Sequence, residues 1–279
     1  MIKKIYKFIP FLILLLLTLV LFKDTVIKAK LPIPSDAIVG LYHPYIDFFA
    51  NQYPHGYPFK NFLITDPLRQ QYPWREIAVN IEKSLQLPLW NPYNGAGEPL
   101  LGNIQSASLY PLNILFFVLP FTYAWTLLII LQPMLAGLFL YFYLRNLKIA
   151  KTASLFGSIA FALSGFNTTW LEWGTIVQTG MWLSLILLSI DKIFSNFNVL
   201  KNSKFKIQNL KLWIINYKWH WLYLISLSCS LLAGHLQIFF YVFVFSFIYF
   251  LARWLQHGKT KRVLLTYLII NILFLIITA

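Results

Sequence analysis

Residues 122–144 read TYAWTLLIILQPMLAGLFLYFYL, twenty-three positions without a charge. An α-helix needs about 20 such residues to cross the hydrocarbon core of a bilayer. Arg145, Lys148 and Lys151 follow immediately. Lys and Arg collect in cytoplasmic loops, so the helix is expected to run from outside to inside. This stretch decides the fold class, an all-α polytopic membrane protein.

Composition agrees. Of 279 residues, 58% are hydrophobic and 11% are charged, against about a quarter charged in a soluble domain. A soluble fold of this size cannot bury that much apolar surface, which excludes a soluble enzyme and a disordered chain. The lone Cys229 excludes a disulfide framework and a cysteine-based zinc site. The net charge of +14 points to topology and not to nucleic acid. Residues 23–121 hold seven Lys or Arg and seven Asp or Glu, whereas the other sixteen cations sit in four short segments with only Asp191 among them.

The remaining apolar runs are placed by the same logic. Lys3, Lys4 and Lys7 precede the run 8–22, read as an uncleaved signal anchor with its amino end inside. Residues 153–169 return outward to Trp170, Glu172 and Trp173, and 176–190 come back to Asp191 and Lys192. The basic segment 192–218 is then cytoplasmic. The run 221–251 is expected to be a hairpin turning at Gly234 and His235, which keeps every basic segment inside. Residues 263–279 begin a last span and stop without a polar flank, as a truncated chain would. The expectation is about seven spans: an anchor at 1–22, an extracytoplasmic loop at 23–121 and a six-helix bundle at 122–279.

The loop carries the dense polar chemistry and 12 of the 14 prolines. Thr65 or Asp66 can cap a helix with Pro67 in its first turn. Ile77, Ala78, Ile81 and Leu85 form its apolar stripe, and Arg75, Glu76, Glu82 and Lys83 its polar face. Such a helix suits the membrane surface. Residues 109–119, between Pro111 and Pro120, are too short to span and read as re-entrant or interfacial. Trp90-Asn91-Pro92-Tyr93 reads as a turn packed on the membrane face.

Asp66 with Gln70 four positions on, Trp90-Asn91-Pro92, Tyr110-Pro111-Leu112-Asn113, and Ala233-Gly234-His235-Leu236-Gln237 together resemble the YfhO-like family of bacterial membrane proteins. The resemblance runs over nearly the whole chain. It implies a C-type glycosyltransferase of the cytoplasmic membrane, moving a sugar from a polyprenyl-phosphate carrier to an envelope acceptor such as teichoic acid or another glycan. It also implies an acid in this loop as base or metal ligand, which matches Asp66, with Asp36 and Asp47 as alternates.

Chemistry fills in the other roles. An attacking hydroxyl must lose a proton, and a carboxylate can take it. A leaving phosphate needs a cation, a divalent metal or Arg69 and Arg75 acting as a clamp. Gln70, His235 and Gln237 can contact the sugar or the acceptor. Each residue also has a plainer role: Asp66 as a helix cap, the arginines facing lipid headgroups, His235 and Gln237 as polar groups of a tight turn. The competing functions are a lipid or solute transporter and a non-catalytic envelope assembly protein. The middles of the spans carry no acid or base, which weighs against a coupled pump.

Overall fold

The computed structural model describes residues 2–58, 61, 63–201 and 210–278. The chain is mostly helical (72%). Among the described residues, four helices are long and apolar enough to cross a membrane: Phe121–Asn146, Ile176–Asn196, Leu236–Gln256 and Lys261–Thr278. The expected hairpin is present, as Leu210–Leu232 and Leu236–Gln256 joined by a short turn. Residues 202–209 of the basic segment lie outside the described residues.

The anchor is a helix, and one other expected span is broken. Helix Ile2–Leu21 carries a shorter apolar stretch, Phe8–Leu21. Residues 153–169 do not make one helix. Lys151–Ala162 ends, and Ser164 caps a separate short helix, Gly165–Trp170, by accepting the Asn167 N–H. Asn167 Nδ2 meanwhile donates to the Phe161 carbonyl at 2.7 Å. A polar pair of this kind satisfies the backbone groups that a break exposes, and a twelve-residue helix reaches only about 18 Å.

Helices Ile2–Leu21, Phe121–Asn146 and Lys151–Ala162 converge on Gly137. A Cβ there would come within 2.8 Å of Leu14 Cδ2 and 3.1 Å of Ala162 Cβ. Ser154 and Ser158 are fully buried beside it, and the Ser158 hydroxyl returns to the Ser154 carbonyl. Small residues let helices approach closely where packing, not water expulsion, holds them together.

The polar loop 23–121 folds against the start of Phe121–Asn146. Its longest helix is Tyr72–Lys83. Val79 is buried in a cluster with Phe116, Trp125, Leu128 and Ile129. The buried face differs from the expected stripe: it is Gln71, Arg75, Ala78 and Val79, while Leu85 is exposed. The reason is long-range, because residues 100–113 cover the Arg75 side. The loop also contains a two-stranded ladder in which Trp90 pairs with Pro99 and Asn91 with Glu98, a small β element in an otherwise helical chain.

Candidate functional site

Asp66 does not cap a helix through its side chain. Its backbone is already helical (φ −58, ψ −41), and the turn that follows, Pro67–Gln71, is π-helical. Pro73 explains the turn. It has no N–H to give to the Arg69 carbonyl, and its ring crowds that carbonyl. The chain widens by one residue, and Tyr72 N–H reaches the Pro67 carbonyl instead. π-turns of this kind recur at functional sites.

Asp66 and Gln70 are half-buried and Arg69 is exposed. The Arg69 guanidinium lies over the Tyr42 ring, 5.9 Å from its centroid. Tyr42 ends the short helix Asp36–Leu41. The π-turn also touches the 3-10 turn Leu171–Trp173, where Trp170 and Trp173 meet edge to face at 4.6 Å. The loop and the bundle thus share one polar, aromatic corner, with Asp66, Arg69 and Gln70 on it.

Asp36, at the start of its helix, is half-buried, and its helix packs on Tyr45–Phe49. Asp47 is exposed and accepts from His43 Nδ1 at 3.0 Å.

Arg75 stands apart from Arg69. It is 1% exposed. Its Nε donates to the Ser106 carbonyl at 2.6 Å and its Nη1 to Asn113 Oδ1 at 2.7 Å, while Nη2 has no partner. Burial pushes its pKa down to about 10, against the opposing influence of Tyr110 and Glu82. Asn113 in turn donates to the carbonyls of Ala107 and Ser108. Arg75 therefore pins residues 106–113 to the helix, and the expected two-arginine clamp is not assembled: one guanidinium is on the surface and the other is inside.

His235 caps helix Leu236–Gln256, its Nδ1 accepting the Ile238 N–H at 3.3 Å. Gln237 donates to the Tyr241 hydroxyl at 2.9 Å. The turn before them is nevertheless close to the loop. Gly234 has φ +98, and a Cβ on it would lie 2.8 Å from Ala107 Cβ and 3.0 Å from the Ile104 carbonyl.

Glu98 is a further carboxylate of the loop. Trp74 Nε1 and Asn91 Nδ2 both donate to its Oε1, at 2.8 and 3.1 Å. Desolvation works to raise its pKa, but hydrogen bonds from Asn94, Asn91 and Trp74 outweigh it and hold the carboxyl below its ordinary value. Among the described residues no group of three or more His, Cys, Asp or Glu side chains could hold a metal ion.

Sequence reading misses a charged centre inside the bundle. Asp191 is 5% exposed. It accepts from Arg253 Nε at 2.6 Å, from the Tyr249 hydroxyl at 2.8 Å and from Asn146 Nδ2 at 3.0 Å. The Tyr143 hydroxyl donates to Tyr249 at 3.0 Å. Three helices are tied here, at the end of Phe121–Asn146 remote from the loop. One signal was available: Asp191 is the only acid among the sixteen cations outside residues 23–121. No family model, no curated protein and no solved structure matches the chain.

Proposed function

We propose that this chain is a glycosyltransferase of the bacterial cytoplasmic membrane, of the YfhO-like family. It transfers a sugar from a polyprenyl-phosphate carrier to an envelope glycan such as teichoic acid. In this reading the chain crosses the membrane about seven times, with Lys151–Ala162 and Gly165–Trp170 together making one crossing, the amino end in the cytoplasm and residues 23–121 outside. The observation that supports it is the π-turn itself, where Asp66, Arg69 and Gln70 lie within one turn of chain that touches Leu171–Trp173 of the bundle. A lipid-anchored donor requires its polar chemistry at such a junction.

Asp66 takes the proton of the acceptor hydroxyl as its oxygen attacks the anomeric carbon. The bond from that carbon to the phosphate oxygen breaks, and its electron pair leaves with the phosphate. Arg69 neutralises the departing charge. Gln70 holds a sugar hydroxyl. The anomeric centre inverts. Arg75 acts from inside, by fixing the loop that carries the site, and no step is assigned to a metal.

Transfer from a radiolabelled polyprenyl-phosphate sugar in membranes tests the chemistry. Asp66→Asn is expected to slow it by roughly a hundredfold to ten-thousandfold, with Asp36→Asn and Asp47→Asn near normal. If Asp36→Asn alone is inactive, the base is Asp36. If all three retain transfer, the mechanism is wrong. Orientation is tested by cysteines at Asn94 and Lys259 in a Cys229→Ser background. An impermeant reagent on intact cells is expected to label position 94 only, and labelling at 259 alone reverses the topology.

A further inference from the structure

Residues 84–97 carry no charge, although they belong to the polar loop. Within them Leu85 is 96% exposed, Tyr93 is 80% exposed, and Leu87, Leu89 and Trp90 are each more than half exposed. The backbone holds them outward. Leu85 has φ +58, a left-handed conformation that a leucine adopts only against steric cost. Its N–H bonds to the Glu82 carbonyl, the Leu89 N–H to the Leu87 carbonyl and the Leu100 N–H to the Leu89 carbonyl. Pro88 is buried between the leucines. This is a fixed apolar edge, and large exposed apolar patches mark interaction sites.

The occupant follows from its surroundings. Helix Tyr72–Lys83, which leads directly into the edge, does not stand above the apolar helices. Tyr72 meets Phe121 and Trp125 edge to face at 4.9 and 5.0 Å, and Val79 packs in a cluster that reaches Ile129. Ile129 is eight residues into Phe121–Asn146, about 12 Å along it at 1.5 Å per residue. The helix therefore lies at the depth where a bilayer meets water. It also packs on Leu115–Val118, in which Phe117 and Val118 are exposed, as are Ile114 just before it and Tyr123 on the spanning helix. Exposed apolar side chains therefore occur on the span, on the turn before it and on the edge. Leucines with flanking Trp and Tyr, and no charge, suit the interface between headgroups and acyl chains.

We propose that Leu85, Leu87, Leu89, Trp90 and Tyr93 insert into the lipid leaflet on the loop's side of the membrane and hold the loop down on it. The anchor rests on the membrane character of the chain and not on the transfer chemistry, so it stands or falls separately from the activity. Bimane attached to cysteines at Leu85, Leu87 and, as a water-facing control, Glu76 tests it, in the Cys229→Ser protein reconstituted in phosphatidylcholine–phosphatidylglycerol vesicles. At 85 and 87, nitroxide-labelled lipid is expected to quench at least twofold more than at 76, and aqueous iodide at least twofold less. Iodide quenching at 85 and 87 equal to that at 76 overturns the proposal by leaving the edge in water. Protection from both quenchers overturns it by showing a protein cover. Carbene labelling of the unaltered protein from a lipid-dissolved reagent gives a second measurement. Modification within residues 84–93 supports insertion, and its absence there alongside labelling of Leu236–Gln256 overturns it.

Discussion

Arg75 and Arg253 stand at opposite ends of helix Phe121–Asn146 and meet the cost of a confined charge differently. Arg253 lies against a carboxylate, Asp191, whose side chain is 4% exposed, and the pair is completed by Tyr249 and Asn146. Arg75 is more deeply buried, yet it spends its donors on a carbonyl and a carboxamide and keeps one nitrogen unpartnered. The first centre is closed and ties helices together. The second holds a loop by neutral acceptors and leaves charge uncompensated in the part of the molecule that carries the candidate site. Breaking the closed centre leaves a partly buried charge alone, whereas removing the open one relieves a charge while orphaning two acceptors.

Asp191→Ala is accordingly expected to have the largest effect. It strands Arg253, Tyr249 and Asn146, and because Arg253 keeps some access to solvent the loss is expected at the lower end of the range of about 3–5 kcal/mol for a buried pair broken on one side. Thermal unfolding in detergent measures it. The double change with Arg253→Met should cost clearly less than the sum of the single changes, because the stranded charge is then gone. Additive costs would mean that the two residues do not act as a pair.

Gly234→Ala probes how firmly the Arg75 region is seated on the bundle. Only glycine takes φ +98 without strain, and the added methyl would meet Ala107 and the Ile104 carbonyl, backbone included. A loss of about 2–3 kcal/mol is expected. It should be accompanied by faster amide exchange in residues 104–113. Normal exchange there would mean that the turn and the loop touch without depending on each other.

Much of the bundle was legible, because its signals are local. An uncharged run such as 122–144 has length and composition in one window, and Gly234 with His235 marks a break within another. The arrangement around the two arginines was not. Arg75 sits in a helix whose apolar stripe was assigned from spacing alone, but its burial is decided by acceptors 31 and 38 residues later. Asp191 looked like a flank because its partners lie 45 to 62 residues away. Pro67 marks a helix start with Thr65 or Asp66 as a candidate cap, but Pro73 turns that start into a π-turn with its own carbonyl pattern.

Arg75→Met isolates the open centre. The methionine keeps most of the length and removes the charge, but it leaves the Ser106 carbonyl and Asn113 Oδ1 short of a donor. The gain and the loss partly cancel, so about 1–2 kcal/mol is expected, less than for Asp191→Ala. A cost as large as that of Asp191→Ala would mean that Arg75 is compensated as fully as Arg253, and the contrast between the two would fail.

The smallest effect is a dependence on pH. Glu82 lies two helical turns beyond Arg75, its Oε1 buried without a partner. Burial pushes its carboxyl up from 4.5 to about 7, against the attraction of Arg75. A carboxyl raised in the folded state favours the neutral acid there. Its contribution to stability is therefore fully present below about pH 4.5 and is lost as pH rises through 4.5 to about 7. The full shift would correspond to roughly 3 kcal/mol, but the group is half exposed, and solvent screening reduces the expectation to about 1 kcal/mol. Unfolding temperatures between pH 5 and pH 8 should fall more steeply in the wild type than in Glu82→Gln, which cannot ionise. In Arg75→Met the cation that favours the ionised carboxylate is gone, so the fall should start at the same pH but continue to higher pH than in the wild type. Parallel curves for the wild type and Glu82→Gln would show that Glu82 titrates as an ordinary surface acid.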